Sequence, residues 1–243
     1  MEFASIKAIT IDAIGTVVAP TPSVGVILAN CLQNQDVQCD WPNLTNSLQE
    51  AFEYFYEAAA PSRKVEGVTD RTEKLFWGKI FAKILGELFP RAPDAFLKKM
   101  VKAFWEAMSR PENWEEIPGA RPPLELLSRC GYKIYIFSNG DSRLHKILKG
   151  LGLSSIAEAA FVATELGYRK PHPQAFAKVM SALRLPPEAF LHVSGDREED
   201  VLGAMQAGWS GAFLHASSPK NKSLLHVQRL GDLVERLMPS DRA

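Results

Sequence analysis

The sequence predicts a doubly wound α/β protein whose parallel sheet is interrupted by a long helical insertion. After Gly119, short apolar runs rich in β-branched residues alternate with helical stretches of about ten residues, a rhythm typical of βαβ units. A similar apolar run opens the chain at 6–11, whereas 23–110 contains long amphipathic stretches instead. We therefore expect an α/β core built from 1–22 and 111–243, and an all-helical domain at 23–110.

The predicted elements follow one another in a regular order. The first strand is IKAITI at 6–11, and the insertion contains amphipathic helices at 44–59 and 73–88. The chain then predicts strands at 132–137, 160–163, 190–193 and 211–214, and helices at 143–150, 173–183, 200–208 and 224–237. These strands are short and mostly apolar, as in a parallel sheet that is covered on both faces.

The composition predicts an ordinary globular protein. Of 243 residues, 46% are hydrophobic and 23% charged, and 28 Lys and Arg balance 28 Asp and Glu, so no overall charge favours nucleic acid or an anionic membrane. The apolar runs fall short of the roughly 18 residues of a membrane-spanning helix. The N-terminal segment lacks a secretory signal pattern, and the three cysteines show no CxxC spacing. We expect a cytoplasmic location and a small-molecule substrate; the oligomeric state is not predicted.

Polar residues follow the predicted strands at the points where each strand or its loop ends. Asp12 follows the first strand, Ser138-Asn139-Gly140 follows YKIYIF, and Lys170 follows the strand at 160–163 and its loop. Asp196 and Asp200 come after FLHVSG. Ligands of open parallel sheets bind beyond the carboxyl ends of the strands. We therefore expect these side chains to meet at one edge of the sheet.

Each of these residue types suits the binding of an anion or a metal ion. The Ser138 hydroxyl and neighbouring backbone N–H groups, at a helix start, can hold an oxygen of a phosphate or carboxylate. Lys170 can place a fixed positive charge against an anionic transition state. Asp196 and Asp200, together with Asp12, can form an oxygen cage suited to Mg²⁺. His192, inside a strand, is interpreted as a core histidine.

The motifs DAIGT, SNGD, the lysine of YRKPHPQAF and GDREED resemble, in this order, those of haloacid dehalogenase (HAD)-like hydrolases. The resemblance covers nearly the whole chain and implies a Rossmann-like core with an inserted all-helical (C1) cap domain. Stretches such as SNGDSRLHKIL and LHVSGDREEDVLGAMQAG resemble the branch named after a rhythmically expressed insect gene.

The resemblance also implies roles for individual residues. Asp12 would be the nucleophile, forming a covalent ester with the substrate, and Lys170 its catalytic partner. Substrate-binding residues would be Thr16, Ser138, Asn139 and Gly140. The ligands of Mg²⁺ would be Asp12, the backbone carbonyl of Ile14, Asp196 and Asp200. The substrate would be a small phosphorylated metabolite.

One residue departs from the family's phosphatases. Two positions after the nucleophile, these carry a second Asp that protonates the leaving oxygen, and here that position is Ile14. Loss of a general acid typically costs about 10²- to 10⁴-fold in rate, and less where the leaving group needs no proton. The sequence therefore predicts a phosphatase that is slow on alkyl phosphates.

Three alternatives remain. A metal-independent 2-haloacid dehalogenase also lacks the second Asp, and its DAYGT motif is close to DAIGT, although dehalogenases carry an Asn-type residue where this chain has Asp196. A phosphonatase-type enzyme would need a Schiff-base lysine in the insertion, which the sequence does not single out. A catalytically impaired binding protein of the same fold would show no turnover. The presence of Asp196, rather than an Asn-type residue, favours the Mg²⁺-dependent hydrolase.

Overall fold

The computed structural model describes residues 3–33, 35, 40–195 and 197–238. The strands are β1 (Ala8–Ile11), β2 (Val18–Pro20), β3 (Trp114–Glu116), β4 (Lys133–Ser138), β5 (Ala159–Val162), β6 (Phe190–Ser194), β7 (Ser210–Leu214) and β8 (Leu225–Val227). The helices are α1 (Val24–Gln33), α2 (Trp41–Ala59), α3 (Asp70–Leu88), α4 (Asp94–Ala107), α5 (Arg121–Arg129), α6 (Arg143–Gly150), α7 (Ala163–Leu166), α8 (Pro173–Leu183), α9 (Glu198–Gln206) and α10 (Leu230–Leu237). None of these helices has both the length and the apolar character required to cross a membrane.

Six strands form a parallel sheet in the order β5-β4-β1-β6-β7-β8. The order reverses direction at β1, which pairs with β4 on one side and with β6 on the other. All four residues of β1 are buried, as expected for a central strand covered on both faces. The predicted doubly wound α/β fold is thus confirmed, and the central position of β1 places its carboxyl end at the switch point where ligands bind in such sheets.

The chain divides into two compact units. One comprises 1–19, 65–68 and 116–243 and contains the six-stranded sheet, and the other comprises 20–64 and 69–115 and contains α1 to α4. The helical unit has its own apolar core, with Leu28, Leu48 and Phe81 among the buried side chains. Helix α3 begins with a capping box in which the side chains of Thr69 and Thr72 each accept from the other's backbone N–H.

Residues 65–68 belong to the α/β unit although they lie between two helices of the other unit. The backbone N–H of Val68 donates to the Gly167 carbonyl at 3.1 Å, and that of Arg169 donates to the Val65 carbonyl at 2.8 Å. Glu66 forms an antiparallel bridge with Tyr168. This 65–68 segment is therefore held by backbone hydrogen bonds to the loop that leads directly into Lys170.

The expectation of a single helix at 224–237 is wrong in its first part. Leu225–Val227 forms β8, an edge strand that pairs in parallel with β7. Helix α10 begins only at Leu230. Just before it, the backbone N–H groups of Gln228 and Arg229 donate hydrogen bonds to the Asp232 carboxylate at 3.0 Å each. The cap ends the strand and starts the helix, so the apolar run is divided between two elements.

Candidate active site

Asp12 lies directly beyond β1, at the carboxyl edge of the sheet. Its backbone N–H donates to the Val193 carbonyl at 2.9 Å, which extends the β1–β6 pairing by one residue. The carboxylate is nearly enclosed, with 6% of the side chain exposed. The strand pairing therefore fixes the backbone of Asp12, and this determines where its side chain begins at the carboxyl edge of the sheet.

Lys170 meets Asp12 at this edge. Its Nζ atom lies 3.1 Å from Asp12 Oδ1 and 3.2 Å from Asp200 Oδ2, and its side chain has no exposed area. The ammonium also lies 5.1 Å from the centre of the Phe137 ring. Three groups that are far apart in the sequence, Asp12, Lys170 and Asp200, thus form one buried charge cluster.

The two carboxylates keep Lys170 charged. Burial alone disfavours the ammonium, but the negative charges of Asp12 and Asp200 outweigh it, so the pKa of Lys170 lies above its ordinary value. A buried ammonium held between two carboxylates partly neutralises them. The cluster therefore repels an anionic substrate less strongly than two bare carboxylates would.

Asp200 lies in the first turn of α9 and is buried. Its Oδ2 contacts Lys170, whereas its Oδ1 is enclosed and has no hydrogen-bond partner in the described part of the chain. A buried carboxylate oxygen without a partner is costly unless another group satisfies it. A hard cation is one such group, so Asp200 fits the predicted Mg²⁺.

Asp196, the other predicted carboxylate ligand, lies outside the described residues. Within the described ranges, no group of three His, Cys, Asp or Glu side chains forms a metal site. Asp12 and Asp200, joined through Lys170, are therefore the predicted carboxylate ligands that the structure describes, beside the backbone carbonyl of Ile14. The ligand roles of all these residues stay predictions.

The Ser138-Asn139-Gly140 motif follows β4, the neighbour of β1. Ser138 is buried at the end of the strand. The Asn139 side chain accepts from the Lys170 backbone N–H at 2.7 Å and donates to the Lys170 carbonyl at 3.1 Å. The Arg169 guanidinium donates to the Asn139 carbonyl. Asn139 therefore holds the backbone of Lys170, a positioning contact that differs from its predicted role in binding substrate.

Thr16 holds the loop after β6. Its Oγ1 accepts from the Gly195 N–H at 2.9 Å. A Cβ atom on Gly195 would lie 2.9 Å from the Leu214 carbonyl oxygen and 3.2 Å from both the Gly15 carbonyl oxygen and Thr16 Oγ1, so a side chain cannot enter without displacing backbone. The Thr16 hydroxyl thus links the turn after β1 to the turn after β6.

Ile14 lies in the turn after β1, between Asp12 and Gly15. The residue is 41% exposed, as are several other large apolar residues of the described chain. An isolated bridge pairs it with Val18. The position where the family's phosphatases carry a general acid is therefore solvent-accessible and apolar in this chain.

Two residues of the site were not predicted to act there. His192 in β6, interpreted from the sequence as a core histidine, is indeed fully buried, but its Nε2 lies 3.2 Å from Lys170 Nζ. Arg169 was not singled out. The alternation of side chains along the predicted strand contained a signal for His192, since residues 190, 192 and 194 share one face and 194 ends the strand at the carboxyl edge of the sheet.

Comparisons of the sequence with known proteins identify the family of this chain. The family model described as haloacid dehalogenase-like hydrolase matches residues 6–208. Haloacid dehalogenase-like hydrolase domain-containing protein 3 of Xenopus laevis is 28% identical over 123 residues, which is 51% of this chain and 50% of that protein. The Rhythmically expressed gene 2 protein of Drosophila melanogaster is 29% identical, covering 59% of this chain and 58% of its own. The Glyceraldehyde 3-phosphate phosphatase of Pyrococcus furiosus is 34% identical over 95 residues, 38% of this chain and 39% of its own.

Solved structures have the same fold. A HAD-hydrolase of Bacillus subtilis bound to magnesium superposes with a TM-score of 0.73 and 18% identity over 96% of this chain and 98% of its own. The L-2-haloacid dehalogenase of Xanthobacter autotrophicus with chloropropionic acid covalently bound superposes with a TM-score of 0.64 and 21% identity over 97% and 99%. The family match covers most of the chain, and the relatives include the branch that the motifs resemble. The chain therefore belongs to the haloacid dehalogenase-like hydrolases.

Proposed function

We propose that this hydrolase is a Mg²⁺-dependent phosphatase that acts on a small phosphorylated metabolite through an aspartyl-phosphate at Asp12. The observation that carries the proposal is the buried pairing of Lys170 with both Asp12 and Asp200, together with the unsatisfied Oδ1 of Asp200. Dehalogenases that work without metal carry an Asn-type residue where this chain has Asp196, so the acidic residue at that position also supports a metal-dependent enzyme.

In the proposed first step, an Asp12 carboxylate oxygen attacks phosphorus, and the bond from phosphorus to the ester oxygen breaks. The leaving oxygen keeps the bonding electron pair and takes its proton from water, because Ile14 has none to give. In the second step, water attacks phosphorus, the bond to Asp12 breaks with its electron pair returning to the carboxylate, one proton of the attacking water passes to solvent, and inorganic phosphate leaves. Lys170 balances negative charge in both transition states.

The metal would be held by Asp12, Asp200, Asp196 and the Ile14 backbone carbonyl. Bound there, Mg²⁺ would supply positive charge to the phosphate oxygens and satisfy the buried Oδ1 of Asp200. The carbonyl ligand does not depend on the side chain, so the Ile14 substitution leaves metal binding intact. The Ser138 hydroxyl and the backbone N–H of Gly140 would bind the phosphate, with Thr16 and Asn139 holding the loops that carry the site.

Two similarities support the proposal. The relative in Pyrococcus furiosus is a glyceraldehyde 3-phosphate phosphatase, and the solved HAD-hydrolase of Bacillus subtilis binds magnesium. We infer from the first that a small phosphate ester is the substrate class for this chain. Aryl and acyl phosphates should be the better substrates, since their leaving groups need no protonation.

The test is release of inorganic phosphate from a panel of alkyl, aryl and acyl phosphates, with Mg²⁺ and with EDTA. We expect turnover of the aryl and acyl esters that requires Mg²⁺ and that disappears in Asp12→Asn. Acid-quenched wild-type protein should carry a phosphoryl group on the peptide that contains Asp12, and hydroxylamine should remove it. Turnover that persists in EDTA, or a panel without any turnover, would contradict the proposal.

A 2-haloacid dehalogenase is the second candidate, favoured by one observation. The exposed Ile14 means that the leaving group receives no proton from the protein, which suits halide. Asp12 would displace halide from carbon, and water would then hydrolyse the ester. Halide release from a 2-haloacid in EDTA would establish this activity, whereas the absence of both activities and of any Asp12 adduct would indicate a binding protein.

A further inference from the structure

Among the residues that the structure describes, three acceptors lie around the Lys170 ammonium. Besides Asp12 Oδ1 at 3.1 Å and Asp200 Oδ2 at 3.2 Å, His192 Nε2 lies at 3.2 Å from Nζ. A lysine ammonium has three N–H donors. With no exposed area on the side chain, water does not compete for them. The three acceptors therefore account for all three donors and together determine where the nitrogen lies.

The His192 ring is itself held in one tautomer. Its Nδ1 lies 3.2 Å from the Thr10 carbonyl oxygen and 3.0 Å from Thr10 Oγ1. The Thr10 hydroxyl has its own acceptor, the Leu191 carbonyl at 3.3 Å. An ammonium only donates, so Nε2 accepts from Lys170, and the proton therefore belongs on Nδ1, where the Thr10 carbonyl can accept it.

The surroundings keep this ring neutral and in place. Burial, and then the positive charge of Lys170, hold the pKa of His192 well below its ordinary value. Thr10 and His192 are paired residues of β1 and β6. The rings of Phe137 and Phe176 lie 5.5 and 6.4 Å from the imidazole centre. The imidazole thus connects the central pair of strands to the end of the long Lys170 side chain.

We propose that His192 is a positioning residue, which holds the Lys170 ammonium against the Asp12 carboxylate through its Nε2 atom. Its effect on catalysis rests on the proposed function, in which Asp12 is the nucleophile. Without the third acceptor, Nζ is held by the two carboxylates alone and moves away from the β6 side. Small displacements of a reacting or charge-balancing group can cost about a hundredfold in rate.

Three variants separate positioning from packing. In His192→Gln the side-chain oxygen can reach the place of Nε2 and accept from Lys170. In His192→Asn the amide can donate to the Thr10 carbonyl as Nδ1 does, but no acceptor reaches Lys170. His192→Leu removes both bonds. We expect His192→Gln to keep kcat within a few-fold of wild type, and the other two to lose about ten- to a hundredfold in kcat with a smaller change in KM.

A control in the same strand measures the cost of packing alone. Phe190, two residues earlier on the same face of β6, stacks on Trp209 with ring centres 4.2 Å apart. Phe190→Leu should lower thermal stability with little change in kcat. If all three His192 variants lose activity only in proportion to their loss of stability, as this control does, His192 is a packing residue and the proposal is wrong.

A nitrogen NMR measurement tests the contact without any turnover. In ¹⁵N-labelled wild-type protein at neutral pH, Nδ1 of His192 should resonate as protonated and Nε2 as unprotonated, and Lys170→Met should shift the Nε2 resonance. A protonated Nε2, or an Nε2 resonance that does not respond to Lys170→Met, would overturn the proposal. If wild-type protein hydrolyses no phosphate ester, the proposed function fails, and the nitrogen resonances alone then decide whether His192 holds Lys170.

Discussion

Restoring a carboxylic acid at position 14 should raise the hydrolysis of alkyl phosphates. We expect Ile14→Asp to increase kcat on a simple alkyl phosphate by about 10²- to 10⁴-fold, the usual contribution of a general acid. Ile14 is 41% exposed, so the new carboxyl group does not have to be buried. Full burial of an isoleucine side chain stabilises a fold by about 1.5–3 kcal/mol, so replacing this half-exposed one should cost roughly 1–2 kcal/mol.

The assay compares kcat/KM for an alkyl and an aryl phosphate in the same variant. The aryl leaving group needs no proton, so its rate should change much less, and the ratio of alkyl to aryl hydrolysis should rise. Ile14→Asn is the matched control because it has the same size and polarity but no acidic proton. Equal rates in Ile14→Asp and Ile14→Asn, or an unchanged ratio, would refute the argument that a missing acid limits this site.

Three further perturbations test the charge cluster and the helical unit. Asp200→Asn should keep a hydrogen bond to Lys170 but weaken Mg²⁺ binding by about tenfold or more, as measured by calorimetric titration. An unchanged Mg²⁺ affinity would show that Asp200 does not bind the metal. The pKa of His192 is lowered in the folded state, so the unfolded state binds the proton more tightly. The free energy of unfolding should therefore fall as the pH drops below about 6.5. This group contributes up to about 1.4 kcal/mol per pH unit to that fall. Urea titrations should show a shallower pH dependence in His192→Gln, and an identical slope would show that His192 is protonated in the folded protein. Glu73→Ala removes the carboxylate that lies 2.5 Å from the largely buried Arg63, and should cost about 3 kcal/mol in the free energy of unfolding, whereas a loss below about 1 kcal/mol would show that the pair is solvated.

The local hydrophobic pattern of the sequence was sufficient to predict most of the strands and helices of the α/β fold. Strands such as β4 and β6 are short apolar runs buried on both faces, and helices such as α6 and α8 have the predicted bounds, because periodicity and flanking Gly or Pro define them. Strand β8 was missed for the opposite reason. Its three residues form a strand only because β7 offers an open edge, and no local period identifies such a segment.

The candidate site was predictable in part. Asp12 and Lys170 could be assigned to the same edge because parallel strands end together. The contacts that hold Lys170 could not be predicted, since they depend on the register between β1 and β6 and on the path of the loop before Lys170. The buried Nε2 of His192 and the side-chain amide of Asn139 both contact Lys170 across the sheet, and neither is close to it in the sequence.

The 65–68 segment has a consequence for exchanging parts between relatives. Chimaeras are usually made by cutting at the two places where an inserted domain leaves and rejoins its host, here near 20 and 115. Such a graft would also replace the backbone partners of Gly167 and Arg169, and with them the support of the loop that ends at Lys170. A transplanted helical domain would therefore alter the host's chemistry unless it brings four residues in its middle whose backbone makes the same hydrogen bonds.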